Sequence, residues 1–364
     1  MKRSSTSAAA LAPGPVGQAL EEMTASFERF CLAAGLETLG ALMEADATAL
    51  CGPRHGRGAG RQAQRWGQTE GPIGFHGGKV VVPRPRLRRG GREVALSAER
   101  LAAWLVQDLS GLDLLAVQID GIHLAEELML VAAVGIDGEG AKHPLGLVEG
   151  ATENAAVVQA LLDDLVQRGL DPKVPRLFII DGSKALSKAI RRSFGRDTPI
   201  QRCQVHKARN IVERLPKHLH APTRRALRQA WELDDADKAE KLLRNLARTL
   251  EREAPGVAGA ILEGLDEILT VVRLGLPKEL RRSLACTNII ENIMGSVRRV
   301  CRNVKRWRDA SMALRWTAAA MIEAAKGFRR LKAKNQLPAL RAALLAHRQK
   351  AADTVAVAQE ARAA

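Results

Sequence analysis

Between Leu114 and Leu215 the hydrophobic period of the chain switches repeatedly between two and about 3.6 residues. That switching limits the possible folds more than any other feature. Three apolar runs come first: LLAVQID from Leu114, MLVAAVGID from Met129 and HPLGLVEGA from His143. Asp137-Gly138-Glu139-Gly140 lies between the last two and reads as a hairpin turn. NAAVVQALLDDLVQRGL then has helical spacing and stops at Gly169. RLFIIDG is a fourth strand, SKALSKAIRRSFG a helix, and PIQRCQVHKARNIVERL a fifth strand that turns helical. The order β-β-β-α-β-α-β predicts an α/β domain: a mixed five-stranded sheet with helices on both faces.

Residues 208–280 are helical almost throughout, as in TRRALRQAWEL and DKAEKLLRNLARTLEREA. This strand and helix order is that of ribonuclease H-like folds, with 208–280 as an all-helical insertion ahead of the last helices. Upstream, 17–46 has helical spacing and SAERLAAWLVQDLSGL from Ser97 reads as a helix. The Gly-, Pro- and Arg-rich stretch between them reads as a basic loop. Within that loop KVVVPRPRLR is one short edge strand, since Pro83 and Pro85 deny it a central place. The expected organisation is a disordered tail (1–16), a helical and basic region (17–110), the first part of the sheet domain (111–207) and the insertion (208–280). The last core helices (281–335) and a helical tail (336–364) follow.

Charge is unevenly spread over the 364 residues, whose formal net is +16. Residues 271–350 hold 19 Lys/Arg against 4 Asp/Glu, and 51–92 hold 10 against 1. Basic blocks flanking a near-neutral middle imply a polyanion gripped on both sides of a working centre. Five cysteines (Cys31, Cys51, Cys203, Cys286, Cys301) without paired spacing, and no signal peptide, argue for a reducing cytoplasm. No window approaches a membrane span.

Asp120 (VQID-G) and Asp181 (FIID-G) each end an apolar run and precede glycine. Asp-Gly is ordinary turn chemistry. Two such acids on neighbouring strands would, however, repel unless a cation sits between them, and hard ions such as Mg²⁺ or Mn²⁺ take oxygen ligands. A third acid, Glu291, heads the basic helix in CTNIIENIMGSVRRVCRNVKRWRD. Its spacing from Asn288 fits a capping box, and the same carboxylate would complete a site for two metal ions. Gly295 and Arg298 share its helical face.

These segments, with RCQVHKARNI and TNIIENIMGSVRR, resemble bacterial insertion-sequence transposases of the Mutator-like class, the IS256 type, over roughly residues 85–330. The resemblance implies an Asp-Asp-Glu triad, here Asp120, Asp181 and Glu291, with gaps of 61 and 110 residues and the insertion in the larger. It implies two Mg²⁺ or Mn²⁺ ions, cleavage and joining of DNA strands at terminal inverted repeats, and excision through a circular DNA intermediate. At least a dimer on DNA and a nucleoid-associated location also follow. Cys203 and His206 match a family signature just after the second acid, which places His206 near the metal in a supporting role. By itself the pair also reads as a core cysteine with a hydrogen-bonded histidine. His123 stands where members often carry an aromatic or other polar residue.

Arg298, Arg299, Arg302, Lys305, Arg306 and Arg308 are expected to track phosphate near the catalytic helix. Arg54, Arg57, Arg61 and Arg65, with Trp66, lie where the family recognises terminal repeats. Trp231 suits a helix core or a stacked base. The absence of tyrosine excludes a tyrosine recombinase. A domesticated, inactive DNA-binding protein and a structure-selective nuclease of the same fold are the competing readings.

Overall fold

The computed structural model describes residues 104–125, 128–301 and 310–363, most of 63–93, and isolated positions from 40 to 61. The chain divides into two compact units, Met1–Glu99 and Arg100–Ala364.

In the first unit, β1 (Gln64–Phe75) and β2 (Gly78–Arg89) form an antiparallel hairpin, and β3 (Arg92–Glu93) pairs with the end of β2. The sequence predicts one short strand here; there are two of twelve residues. GQTEGPIGF is glycine-rich and lacks alternation, so β1 owes its conformation to pairing with β2 rather than to propensity. β2 lies between β1 and β3 rather than at the edge of this sheet, although β3 pairs with it only at Arg88 and Arg89, beyond Pro83 and Pro85. Ala47, Cys51, Ala63 and Leu87 form a small core. The expected helices at 17–39 lie outside the described residues.

The second unit contains the predicted sheet. Strands β4 (Leu114–Ala125), β5 (Leu128–Asp137) and β6 (Lys142–Glu149) are antiparallel. Helix α1 (Ala155–Gln167) leads to β7 (Leu177–Ile180), then α2 (Lys184–Phe194) leads to β8 (Ile200–Arg202). The spatial order is β6-β5-β4-β7-β8, with β7 parallel to both its neighbours. Asn154 starts α1 by accepting from the Ala156 and Val157 amides. Gly169, at φ 100°, ends it, and the Leu170 amide bonds back to the Leu165 carbonyl.

Seven helices follow, α3 (Gln204–Val212), α4 (Lys217–Trp231), α5 (Ala236–Glu253), α6 (Val257–Leu262), α7 (Leu265–Ile268), α8 (Thr270–Arg273) and α9 (Lys278–Leu284). The chain continues with α10 (Asn288–Cys301), α11 (Ala310–Ala325) and α12 (Leu337–Ala363). Both faces of the sheet are covered. Leu161, Leu162 and Leu165 of α1 and Leu186 and Ile190 of α2 pack on Val117, Ile119 and Phe178. On the opposite face Ile290, Ile293 and Val297 of α10, with Met321 of α11, pack on Ile122, Leu130 and Val134. Residues 211–272 have a separate core around Leu227, Leu243 and Ile261.

Candidate active site

β4 lies inside the sheet, and its side chains under α10 should be apolar. Ile122 obeys, yet Gln118 and Asp120, on the same face by strand alternation, do not. Both are buried, Gln118 fully and Asp120 with 6% exposure. Gln118 donates from Nε2 to the Cys286 carbonyl at 3.0 Å, tying the chain just before α10 to the centre of β4. Asp120 does not end its strand, as the Asp-Gly pattern suggests. The strand runs on to Ala125, and Gly121 pairs with Val131 rather than turning. What ends at this level is the parallel neighbour. Ile119 pairs with Ile180, the last residue of β7, so Asp120 and Asp181 each follow one member of the last pair.

The Asp120 carboxyl is pushed up to about 6, first by burial and further by the Asp181 charge, against the Thr287 hydroxyl, His206 and the Gly121 amide. Asp181 is turned toward its own loop. Its oxygens accept from the Ser183 amide and the Thr152 hydroxyl, each at 3.0 Å. Gly182 takes φ 110° and Ser183 caps α2.

His206 and Glu291 complete the cluster. Single ligand atoms of Asp120, His206 and Glu291 lie within 4.8 Å of one another, with His206 Nε2 3.6 Å from Glu291 Oε1. Asp181 is not a member of this group among the described residues. The imidazole is raised to about 9, chiefly by the Cys203 sulfur and then by the Asp120 and Glu291 charges, against burial. Among the described residues His206 Nδ1 is buried with no hydrogen-bond partner. The raised imidazole favours its charged form beside Asp120 and Glu291, in a place suited to a cation.

Cys203 has a second task. Its amide donates to the Ile180 carbonyl at 2.7 Å, and its sulfur accepts from the Thr287 amide (3.4 Å) and hydroxyl (3.5 Å). The end of β7, the start of α3 and the start of α10 therefore meet at one residue, through its amide and its sulfur. Cys203→Ala leaves the amide of the fully buried Thr287 without its sulfur acceptor, which costs about 1–2 kcal/mol. Denaturant melts should show that loss for alanine and a smaller one for serine.

The capping-box reading of Glu291 fails on position. The Glu291 amide bonds to the Thr287 carbonyl at 3.1 Å, which puts Thr287 at the cap and Asn288 already inside α10. The Glu291 carboxylate is directed instead to His206. A Cβ at Gly295 would meet nothing within 4 Å, so no contact within the described chain demands glycine there.

Of the expected DNA contacts, Arg298 is exposed on α10. The side chain of Arg299, with Arg302, Lys305, Arg306 and Arg308, lies outside the described residues, as does Arg57. Arg54 and Arg65 both engage Glu44, at 2.8 and 2.9 Å, and together hold its carboxyl at about 2. Arg61 is exposed, and Arg88 lies 4.1 Å over the half-exposed Trp66 ring. Trp231 packs against the helical core, the core reading of that residue, and borders a 390 Å³ cleft with Arg228 and Lys278. His123 is exposed on β4. Sequence reasoning missed Gln118, Thr152 and Thr287. Only Gln118 left a signal, a polar residue two before an acid within an apolar run.

A family profile described as transposase, Mutator family, matches residues 108–330. The chain is 29% identical over 251 residues to the transposase for insertion sequence element IS6120 of Mycolicibacterium smegmatis, covering 68% of this chain and 76% of that protein. It is 30% identical over 171 residues to the transposase for insertion sequence element IST2 of Acidithiobacillus ferrooxidans, covering 47% and 56%. Against the transposase for insertion sequence element IS256 in transposon Tn4001 of Staphylococcus aureus, identity is 27% over 193 residues, covering 52% and 48%. The chain thus spans about half the length of the second and third of these relatives.

Proposed function

Because the chain belongs to the Mutator family of transposases, we propose that it is a DNA transposase whose acid triad is Asp120, Asp181 and Glu291. In this reading 111–207 and 281–335 form a ribonuclease H-like core, 208–280 is its all-helical insertion and 17–110 engages DNA. The observation that carries the proposal is the meeting of two distant segments. Asp120 and Asp181 follow the last residue pair of adjacent parallel strands, and Glu291 reaches Asp120 and His206 from α10.

Carboxylate oxygens suit Mg²⁺ or Mn²⁺, and the raised Asp120 carboxyl is the group such a cation would relieve. Asp120, Asp181 and Glu291 would hold two ions, which supply activation of the attacking oxygen and neutralisation of charge at phosphorus. His206 keeps an N–H donor beside the reacting phosphate, and Cys203 and Gln118 fix the elements that carry Glu291. Arg298 and the basic residues after it steady the DNA backbone without reading sequence. No protein nucleophile is required, so one site serves both cleavage and joining. Joining two ends calls for at least two copies of the chain.

The test uses the full chain with DNA carrying both ends of its element. Mg²⁺-dependent nicking at those ends, followed by joining of the freed 3′ ends to target DNA, is the expected result. Specific binding without cleavage in Mg²⁺ or Mn²⁺ would identify an inactive DNA-binding protein. Cleavage of branched DNA without joining would identify a nuclease.

A further inference from the structure

We infer that Arg202 is a positioning residue for Asp181, held in place by the Glu263–Gly264 turn of the helical block. The inference rests on the reading of Asp181 as a catalytic acid. Arg202 ends β8, is 8% exposed, and its guanidinium lies between two glycines from distant parts of the chain. A Cβ at Gly182 would fall 2.6 Å from Arg202 Cζ, and one at Gly264 would fall 2.7 Å from a terminal guanidinium nitrogen. Both glycines have positive φ, 110° and 65°. The planar group therefore fills the volume that two side chains would need. One edge rests on the Asp181-Gly182-Ser183 turn and the other on Glu263-Gly264.

Glu263 closes the clamp. Its carboxylate is 3.6 Å from Arg202 and 3.3 Å from Lys184, the first residue of α2. Its carbonyl accepts from Arg202 at 3.5 Å and from the buried Lys207 at 2.5 Å. One turn further on, Glu267 accepts from Ser187 of α2 at 2.6 Å and pairs with Arg191 at 3.0 Å. The segment bearing Asp181 is thus bolted to the helical block as well as to its own sheet. Arg202 Nε is buried without a hydrogen-bond partner among the described residues, a desolvation cost that stability alone does not justify. Lysine carries the charge but cannot supply the flat surface.

Arg202→Met and Glu263→Gln in the full chain test this, using two readouts. In metal-free protein, Arg202→Met should speed hydrogen exchange at residues 181–187 while β4 and β5 exchange as in wild type. In the cleavage assay the Mg²⁺ concentration for half-maximal rate should rise about tenfold at unchanged DNA affinity, as when a group orienting a metal ligand is lost. Glu263, 44% exposed, tolerates glutamine without threat to folding and should move both readouts the same way by less. Half-maximal Mg²⁺ within twofold of wild type in both variants overturns the inference. So does exchange that quickens across the whole sheet. If wild type shows no Mg²⁺-dependent cleavage, the reading of the site fails instead. The metal-free exchange then still decides whether Arg202 holds the Asp181 turn.

Discussion

Glu291→Gln is expected to abolish Mg²⁺-dependent end cleavage, by about 10³-fold or more, while leaving DNA binding and folding intact. Glutamine keeps the length of the side chain and its helix propensity, so α10 should form as before. At 38% exposure the site is not packed tightly enough to punish an isosteric change, and stability should move by less than about 0.5 kcal/mol. What the amide removes is one negative charge from a site built to hold cations. It also removes the carboxylate facing His206. End-nicking rates, a gel-shift titration and a thermal melt of both proteins together decide the matter. Equal nicking by wild type and variant would remove Glu291 from the triad. A variant that neither cuts nor binds would mean that the substitution acts on structure.

Asp120→Asn should also abolish cleavage, yet make the metal-free protein more stable at neutral pH. The folded Asp120 carboxyl titrates at about 6 against an ordinary 3.8, so the native state binds this proton more tightly than the unfolded chain does. Its contribution to stability is complete below pH 4 and is lost as pH rises through 6. At pH 7.5 the wild type carries that loss and asparagine does not. Two pK units set a ceiling of roughly 3 kcal/mol. His206 takes part of this back. Its pKa is raised from 6.5 to about 9, so its stabilisation holds below 6.5 and fades through 9, and Asp120 supplies some of it. A net gain of about 1 kcal/mol, or 2–4 °C in Tm, is expected at pH 7.5, vanishing near pH 4. Adding Mg²⁺ should raise the Tm of wild type and leave the variant unmoved. A less stable variant at pH 7.5 would mean that Asp120 is already compensated without metal.

Much of the second unit was legible because its elements carry strong, consistent signals. The hairpin at Asp137–Gly140, the cap at Asn154 and the stop at Gly169 are local devices, readable from a few residues. The continuous apolar run of β5, buried on both faces, and the amphipathic spacing of α1 marked which residues are buried. β1 was illegible for the converse reason: its conformation comes from a partner strand. The end of β4 was misjudged because Asp120-Gly121 has the composition of a turn, while pairing with β5 carries the strand five residues further.

The three acids proposed for the site were singled out in the chain alone, since each is a charge placed where its element should be apolar or basic. Their arrangement could not. That Asp120 and Asp181 stand level depends on the Ile119–Ile180 register. That Glu291 reaches Asp120 depends on Cys203 and Gln118 anchoring α10 over the sheet. His206 joins the cluster while Asp181 turns toward Thr152. The tertiary structure decides these points because carboxylate chemistry depends on separations of a few ångströms. Such separations are set by contacts between residues as much as 168 positions apart, and no local pattern encodes them.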